Sequence, residues 1–178
     1  MKIIKYTKEY ESIARKFSCG NIVIDNVLKS NTALNPNFGQ TYILLSDDEV
    51  DIIGYYNIAT GNVNRLDHIG DYDVYSAMGS AVHINYLGVD EKYQHTELIP
   101  GSHFYFGDYL LRDCEAKIVE LRNEVGIQFI TLSSTKEGYH MYHDRNDYEC
   151  FEEDMLIFVE DSDFGCTNLY KCIDSIDY

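Results

Sequence analysis

Basic residues are scarce in this chain: 14 lysines and arginines stand against 30 aspartates and glutamates, a formal net charge of -16. Polynucleotide binding draws much of its affinity from cationic side chains that displace counterions, so the composition argues against nucleic acid as a partner. A cationic small substrate or a basic peptide fits the charge better, and a solvated anionic surface explains most of it. Long apolar runs are also missing; nothing approaches the roughly 18 residues a membrane-spanning helix needs. The first residues, "MKIIKYTKEYESIARK", interleave charges with apolar positions and contain no segment like that of a signal peptide. The expectation is a cytoplasmic protein without a membrane partner. No CxxC pair occurs. The five cysteines, Cys19, Cys114, Cys150, Cys166 and Cys172, are irregularly spaced and read as buried reduced thiols, with only Cys166 and Cys172 close enough in sequence to be neighbours. Repeats, low-complexity tracts and linkers are absent too. The length of 178 residues then predicts one domain over 1–178, with 160–178 as an acidic tail.

What is present is a change of hydrophobic period along the chain. "KIIKY" at 2–6 predicts a strand, and "KEYESIARKF" and "NIVIDNVLKSNTAL" predict helices, the second stopped by Pro36. "QTYILLSD" and "VDIIGYYNIATGNV" alternate with period two and predict a hairpin. Residues 64–79, "NRLDHIGDYDVYSAMG", keep no period and read as an excursion before the strand "SAVHINYLGV". Leu110, Cys114, Ile118, Leu121 and Val125 form one stripe of an amphipathic helix ending near Gly126. The strand "IQFITLSS", a short helix or turn in "TKEGYHMYHDRND" and an extended pair in "YECFEEDMLIFVE" follow. This order predicts an α+β domain with a mixed sheet, containing one parallel βαβ unit.

Between the strand "SAVHINYLGV" and the long helix lies an unusually long loop, within "LGVDEKYQHTELIPGSHFYFGDYLL". A helix starting at Phe106, Gly107 and Asp108 offers unpaired N–H groups to an anion, and a glycine lets a phosphate come close to the backbone. "LGVDEKYQ", a glycine and "DYLLRDCEAKI" together resemble the acetyl-CoA segment of the GCN5-related N-acetyltransferases (GNAT family), in which Gln/Arg-x-x-Gly-x-Gly precedes a helix with a Leu-Leu pair. On this match Gln94 opens the motif and Gly107 is its last glycine, ahead of Leu110 and Leu111; several extra residues, Pro100 among them, separate the two. "FSCGNIVIDNVL" and "GQTYILL…IIGYYNIATGNV" resemble members of the family that act as toxins in toxin–antitoxin pairs. "GYHMYHDRNDYECF" resembles the late Leu-Tyr-x-x-x-Gly-Phe motif, with Tyr142 as its tyrosine, one residue inserted, and Asp147-Tyr148 where Gly-Phe is usual.

The resemblance implies a GNAT-like acyltransferase fold, a central mixed and mostly antiparallel sheet flanked by helices. It implies acetyl-CoA as co-substrate and a primary amine of a small molecule or peptide as acceptor. The resembling toxins act on aminoacyl-tRNA, for which the composition supplies no basic face. The implied cofactor-binding residues are Leu87, Gly88, Val89, Gln94, Phe106, Gly107, Asp108 and Tyr109, with an oxyanion donor near Leu87–Val89. Tyr142 is the implied proton donor to the leaving thiolate, since a phenol of pKa about 10 can serve a thiol of about 8.5. For the amine's proton, His83, Asp90 and Glu91 are open choices, Asn85 sharing the His83 face. Lys92, His95 and His103 could offset phosphate charge; His95, His103 and Glu97 match no metal-ligand spacing. A homodimer is an expectation by family analogy alone. The alternative is a GNAT-fold binding or regulatory module without catalysis.

Overall fold

A computed structural model describes residues 1–157 and 165–176. Among the described residues eight strands pair in the order β1-β2-β3-β4-β5-β8-β6, with β7 against β3. They are β1 (Lys2–Lys5), β2 (Gln40–Leu45), β3 (Ile52–Ile69), β4 (Tyr72–Val89), β5 (Phe129–Ser134), β6 (Glu149–Cys150), β7 (Met155–Ile157) and β8 (Thr167–Cys172). The β4–β5 pairing is parallel, while β1–β2, β2–β3, β3–β7, β5–β8 and β6–β8 are antiparallel, so the sheet is mixed and mostly antiparallel as expected. The helices are α1 (Glu11–Ala14), α2 (Ile22–Lys29) and α3 (Phe106–Arg122).

The chain divides into two units, Met1–Ala59 with Asn85–Ala116, and Thr60–Ile84 with Lys117–Tyr178; β3, β4 and α3 contribute residues to both. In the first unit Phe17, Leu28, Ile43, Leu45 and Tyr55 form a fully buried cluster in which α2 packs on β2 and β3. The α2 helix starts where Asn21 caps the N–H groups of Val23 and Ile24. Its approach to the sheet is fixed by Tyr55, whose hydroxyl donates to the carbonyl of Ile24 at 2.6 Å. Leu110 and Leu111 of α3 are fully buried, each worth about 1.5–3 kcal/mol of apolar transfer. Gly54 permits this contact: a Cβ there would lie 2.4 Å from Leu110 Cδ1 and 2.7 Å from the carbonyl oxygen of Gly88.

In the second unit β4 meets β5 in parallel register, Ala81 opposite Phe129 and Ile84 opposite Leu132. Val63, Ala81 and Met155 form a small core there.

Three expectations need correction. Residues 64–79 are not an irregular excursion but the outer part of the β3–β4 ribbon, turned at Gly70 (φ +63°). Its residues 72–77 are all exposed, so no period-two burial was there to be written into the sequence. The α3 stripe stops being buried after Ile118; Leu121 and Val125 are 44% and 57% exposed. The expected tail 160–178 contains β8, a six-residue partner of β5, followed by a 3-10 turn at Ile173–Ser175; positions 160–164 and 177–178 lie outside the described residues. The cysteines add a further correction: all five are free thiols, Cys166 and Cys172 included, but only Cys114 is buried. Among the described residues no helix is long and apolar enough to cross a membrane.

Candidate active site

The end of β4 and the start of α3 belong to the first unit, and with them Leu87, Gly88, Val89, Gln94, Phe106, Gly107, Asp108 and Tyr109. β4 ends in a helical turn in which the N–H groups of Tyr93 and Gln94 donate to Asp90 O at 2.8 and 3.1 Å. The Asp90 carboxylate is buried and accepts the N–H groups of Ser18 and Lys92, both at 3.1 Å. Glu91 accepts the Ser18 hydroxyl at 3.2 Å. Both carboxylates considered as bases thus hold the segment before α2 against the end of β4. Lys92 pairs with Asp51 at 3.4 Å.

The extra residues fold back on themselves. Glu97 and Tyr105 form an antiparallel bridge, and Leu98 N–H donates to Phe104 O at 2.7 Å. The tip is a turn over Ile99–Ser102, with Pro100 at its second position, Gly101 (φ +80°) at its third and Ser102 N–H on Ile99 O at 3.1 Å, the signature of type II. The Glu97 carboxylate accepts the N–H groups of Gly101 and His103, closing the hairpin from inside. Arg112 of α3 lies over the Phe104 ring, 4.8 Å from its centre, and docks the hairpin on the helix. His95 and His103 are exposed, and both take a left-handed φ, 57° and 55°.

At the start of α3, Asp108 Oδ2 accepts the N–H of Tyr105 at 3.0 Å, the returning half of a capping box. Phe106 packs edge-on against Tyr93 at 5.7 Å, so the loop's two ends support one another. Gly107 is half-buried, in the first turn whose N–H groups have no partner inside the helix. These residues suit the phosphate end of a CoA thioester, with a partial positive charge and a side-chain-free approach.

Beside the cradle, Asn85 Nδ2 donates to Phe38 O at 3.0 Å and to Asn57 Oδ1 at 2.6 Å, and Tyr86 stacks on the Phe38 ring at 5.9 Å. Asn57 in turn donates to Thr41 Oγ1 at 2.9 Å, and Thr41 to Ala33 O at 2.8 Å. The polar positions Asn57 and Thr41, which sequence reading passed over, are buried because the segment after α2 needs its carbonyls satisfied there.

Tyr142 belongs to the second unit. It is buried in a π-helical turn, His140–Asp144, that follows β5. Such single turns recur at functional positions. Gly138 precedes it, and a Cβ there would lie 3.2 Å from Ser134 Oγ and in ordinary contact with the Tyr142 ring. Asn146 ties the turn by donating to Met141 O at 2.7 Å. Asp147 adopts φ +57°, the backbone that a glycine takes without strain, and Tyr148 is buried with its ring edge-on to Tyr142 at 5.8 Å. His83, on β4, is buried with Nδ1 3.0 Å from Thr131 Oγ1; burial pushes its pKa down to about 4, so it is neutral at neutral pH. Among the described residues no group of His, Cys, Asp and Glu is arranged to hold a metal ion.

No family model matches the chain. A probable toxin TacT of Sinorhizobium fredii (strain NBRC 101917 / NGR234) is 28% identical over 121 residues, 65% of this chain and 62% of that protein's length. The chain thus spans less than two thirds of this curated relative. A tyrosine-to-phenylalanine mutant of the toxin AtaT, bound to the C-terminus of the antitoxin AtaR and acetyl-CoA, superposes with a TM-score of 0.67 at 15% identity, over 98% of this chain and 94% of that one. AtaT complexed with acetyl-methionyl-tRNAfMet gives 0.64 at 17% identity, over 88% of this chain and 93% of that one. At these identities the agreement is one of fold. AtaT, which shares this fold, is complexed with acetyl-methionyl-tRNAfMet, so the fold itself does not argue against a nucleic-acid partner as the net charge does.

Proposed function

We propose that this chain, which has the GNAT-like acetyltransferase fold and resembles its toxin-like branch, is an acetyl-CoA-dependent N-acetyltransferase acting on a primary amine. The α-amine of an aminoacyl-tRNA is the leading acceptor, supported by AtaT's complex with acetyl-methionyl-tRNAfMet and by the probable toxin among the relatives. The observation that carries the reading is the cradle at the end of β4 and the start of α3. The inserted residues fold into a closed hairpin docked on Arg112, and Gly107 stays half-buried.

In the proposed reaction the pyrophosphate takes the first-turn N–H groups of Phe106–Asp108, the Tyr109 N–H being held by Tyr105 O at 3.0 Å. The thioester lies along Leu87–Val89, where a backbone N–H stabilises the oxyanion. The neutral amine attacks the thioester carbonyl carbon and a C–N bond forms. The tetrahedral intermediate collapses with cleavage of the C–S bond; the resemblance assigns the proton taken up by the departing CoA thiolate to the Tyr142 phenol, and solvent returns a proton to the phenolate. The products are an N-acetyl amide and CoA. Burial lowers the His83 pKa to about 4 and makes it a weak base, and Asp90 and Glu91 are engaged by the segment before α2, so the amine's proton passes first to water.

The acidity of the chain is uneven, which bears on tRNA. The first unit holds 8 basic and 13 acidic residues, the second 6 and 17. Recognition is therefore proposed to concentrate on the aminoacyl end and to show a shallow salt dependence. The test is incubation with isotopically labelled acetyl-CoA and a panel of aminoacyl-tRNAs, free amino acids and polyamines, followed by mass spectrometry of the acceptors. Labelled N-acetyl product supports the reading. Acetyl-CoA binding without transfer to any amine overturns it in favour of a binding module.

A further inference from the structure

We infer that Gln94 is a positioning residue of the thioester end of the proposed acetyl-CoA site and not a ligand of the pyrophosphate; the inference rests on that proposed site. A primary amide has two N–H donors. Gln94 Nε2 gives one to the carbonyl of Cys19 and one to the carbonyl of Val89, each at 2.8 Å. Its backbone N–H is committed as well, to Asp90 O at 3.1 Å. The remaining side-chain atom is an acceptor oxygen, which a phosphate oxyanion cannot use.

What Gln94 does instead follows from its two partners. Val89 is the last residue of β4, and Cys19 lies just ahead of the Asn21 cap of α2. The same junction is reinforced by Glu91 N–H on Ser18 O at 2.8 Å and by Cys19 N–H on Asp25 Oδ1 at 2.8 Å. Gly88 lets the two segments touch: a Cβ there would lie 3.0 Å from Ile24 Cγ2 and 3.4 Å from Cys19 Sγ. Gln94 therefore pins the Leu87–Val89 backbone from one side, and its loss loosens the backbone that meets the thioester. The first turn of α3, which meets the pyrophosphate, keeps its own supports in Asp108 and Tyr93.

The two roles separate with fragments of the co-substrate. S-acetylpantetheine carries the thioester without the pyrophosphate, and ADP carries the pyrophosphate without the thioester. Wild type, Gln94→Ala and Gln94→Met are titrated with each fragment and with acetyl-CoA by NMR; the methionine keeps length and packing while removing both N–H groups. The expected result is a loss of about tenfold for S-acetylpantetheine and the same factor for acetyl-CoA, with the ADP affinity of Gln94→Met unchanged and its melting temperature lowered by only a few degrees. Weakened ADP binding with S-acetylpantetheine unaffected makes Gln94 a phosphate ligand and overturns the inference, as does unchanged affinity for all three. A wild type that fails to bind acetyl-CoA overturns the proposed site itself, and the wild-type titration identifies that failure separately.

Discussion

The carboxylate of Asp108 accepts the backbone N–H of Tyr105 at 3.0 Å, so a negative charge caps the same helix end that is proposed to receive the pyrophosphate. The charge stabilises the helix through its dipole and works against a phosphate arriving there. Asp108→Asn keeps an acceptor for Tyr105 and removes the charge. It is expected to lower stability by about 0.5–1 kcal/mol in thermal unfolding and to tighten acetyl-CoA severalfold at low salt. Equal or weaker acetyl-CoA binding would place the phosphates elsewhere.

Tyr142→Phe removes the proposed proton donor without emptying its buried place. The turnover number is expected to fall about 10²–10⁴-fold while acetyl-CoA affinity stays within a factor of two, since a general acid acts only as the C–S bond breaks. Steady-state kinetics beside a binding titration separates the two; undiminished turnover removes Tyr142 from the mechanism.

His83 gives the fold an acid sensitivity whose sign is fixed by burial. Its pKa is near 6.5 when unfolded and about 4 when folded, so between these values the unfolded chain binds the extra proton. Stability contributed at this position is present above about pH 6.5, declines as pH falls towards 4 and levels off below. The full effect is about 3 kcal/mol. Denaturant unfolding from pH 7 to 4 measures it, and His83→Gln is expected to flatten that part of the profile.

Asp147 occupies a left-handed backbone, φ +57°, beside the buried Tyr148. Asp147→Gly is expected to be neutral or stabilising by up to about 1 kcal/mol, the relief of the left-handed conformation being partly offset by a more flexible unfolded chain. Asp147→Val, which cannot adopt that conformation cheaply, is expected to cost more than about 1 kcal/mol. Calorimetric melting of the pair gives the comparison.

Much of this architecture was legible because its periods are undisturbed by function. Ile43, Leu44 and Leu45 make a short apolar run buried on both faces, and Leu110, Cys114 and Ile118 recur at helical spacing, so β2 and α3 declare themselves. The β3–β4 ribbon did not, because Tyr72, Val74 and Tyr75 are exposed and leave no buried side to alternate with. The long loop hid a second feature. Glu97 closes its hairpin by accepting two backbone N–H groups, and a carboxylate used that way has the same letter as one used for catalysis. Gln94 was readable as a motif position, but its partners, Cys19 and Val89, come from distant and local chain alike and appear only when the chain is folded.

The central claim, that the junction of β4 and α3 binds acetyl-CoA, is tested most directly by calorimetric titration of the wild type against Gly107→Glu. A glutamate in that first turn fills the approach and adds a repelling charge. The account predicts micromolar acetyl-CoA binding by the wild type and at least a hundredfold loss in the variant with the fold retained. Equal binding by both proteins, or none by the wild type, would contradict it.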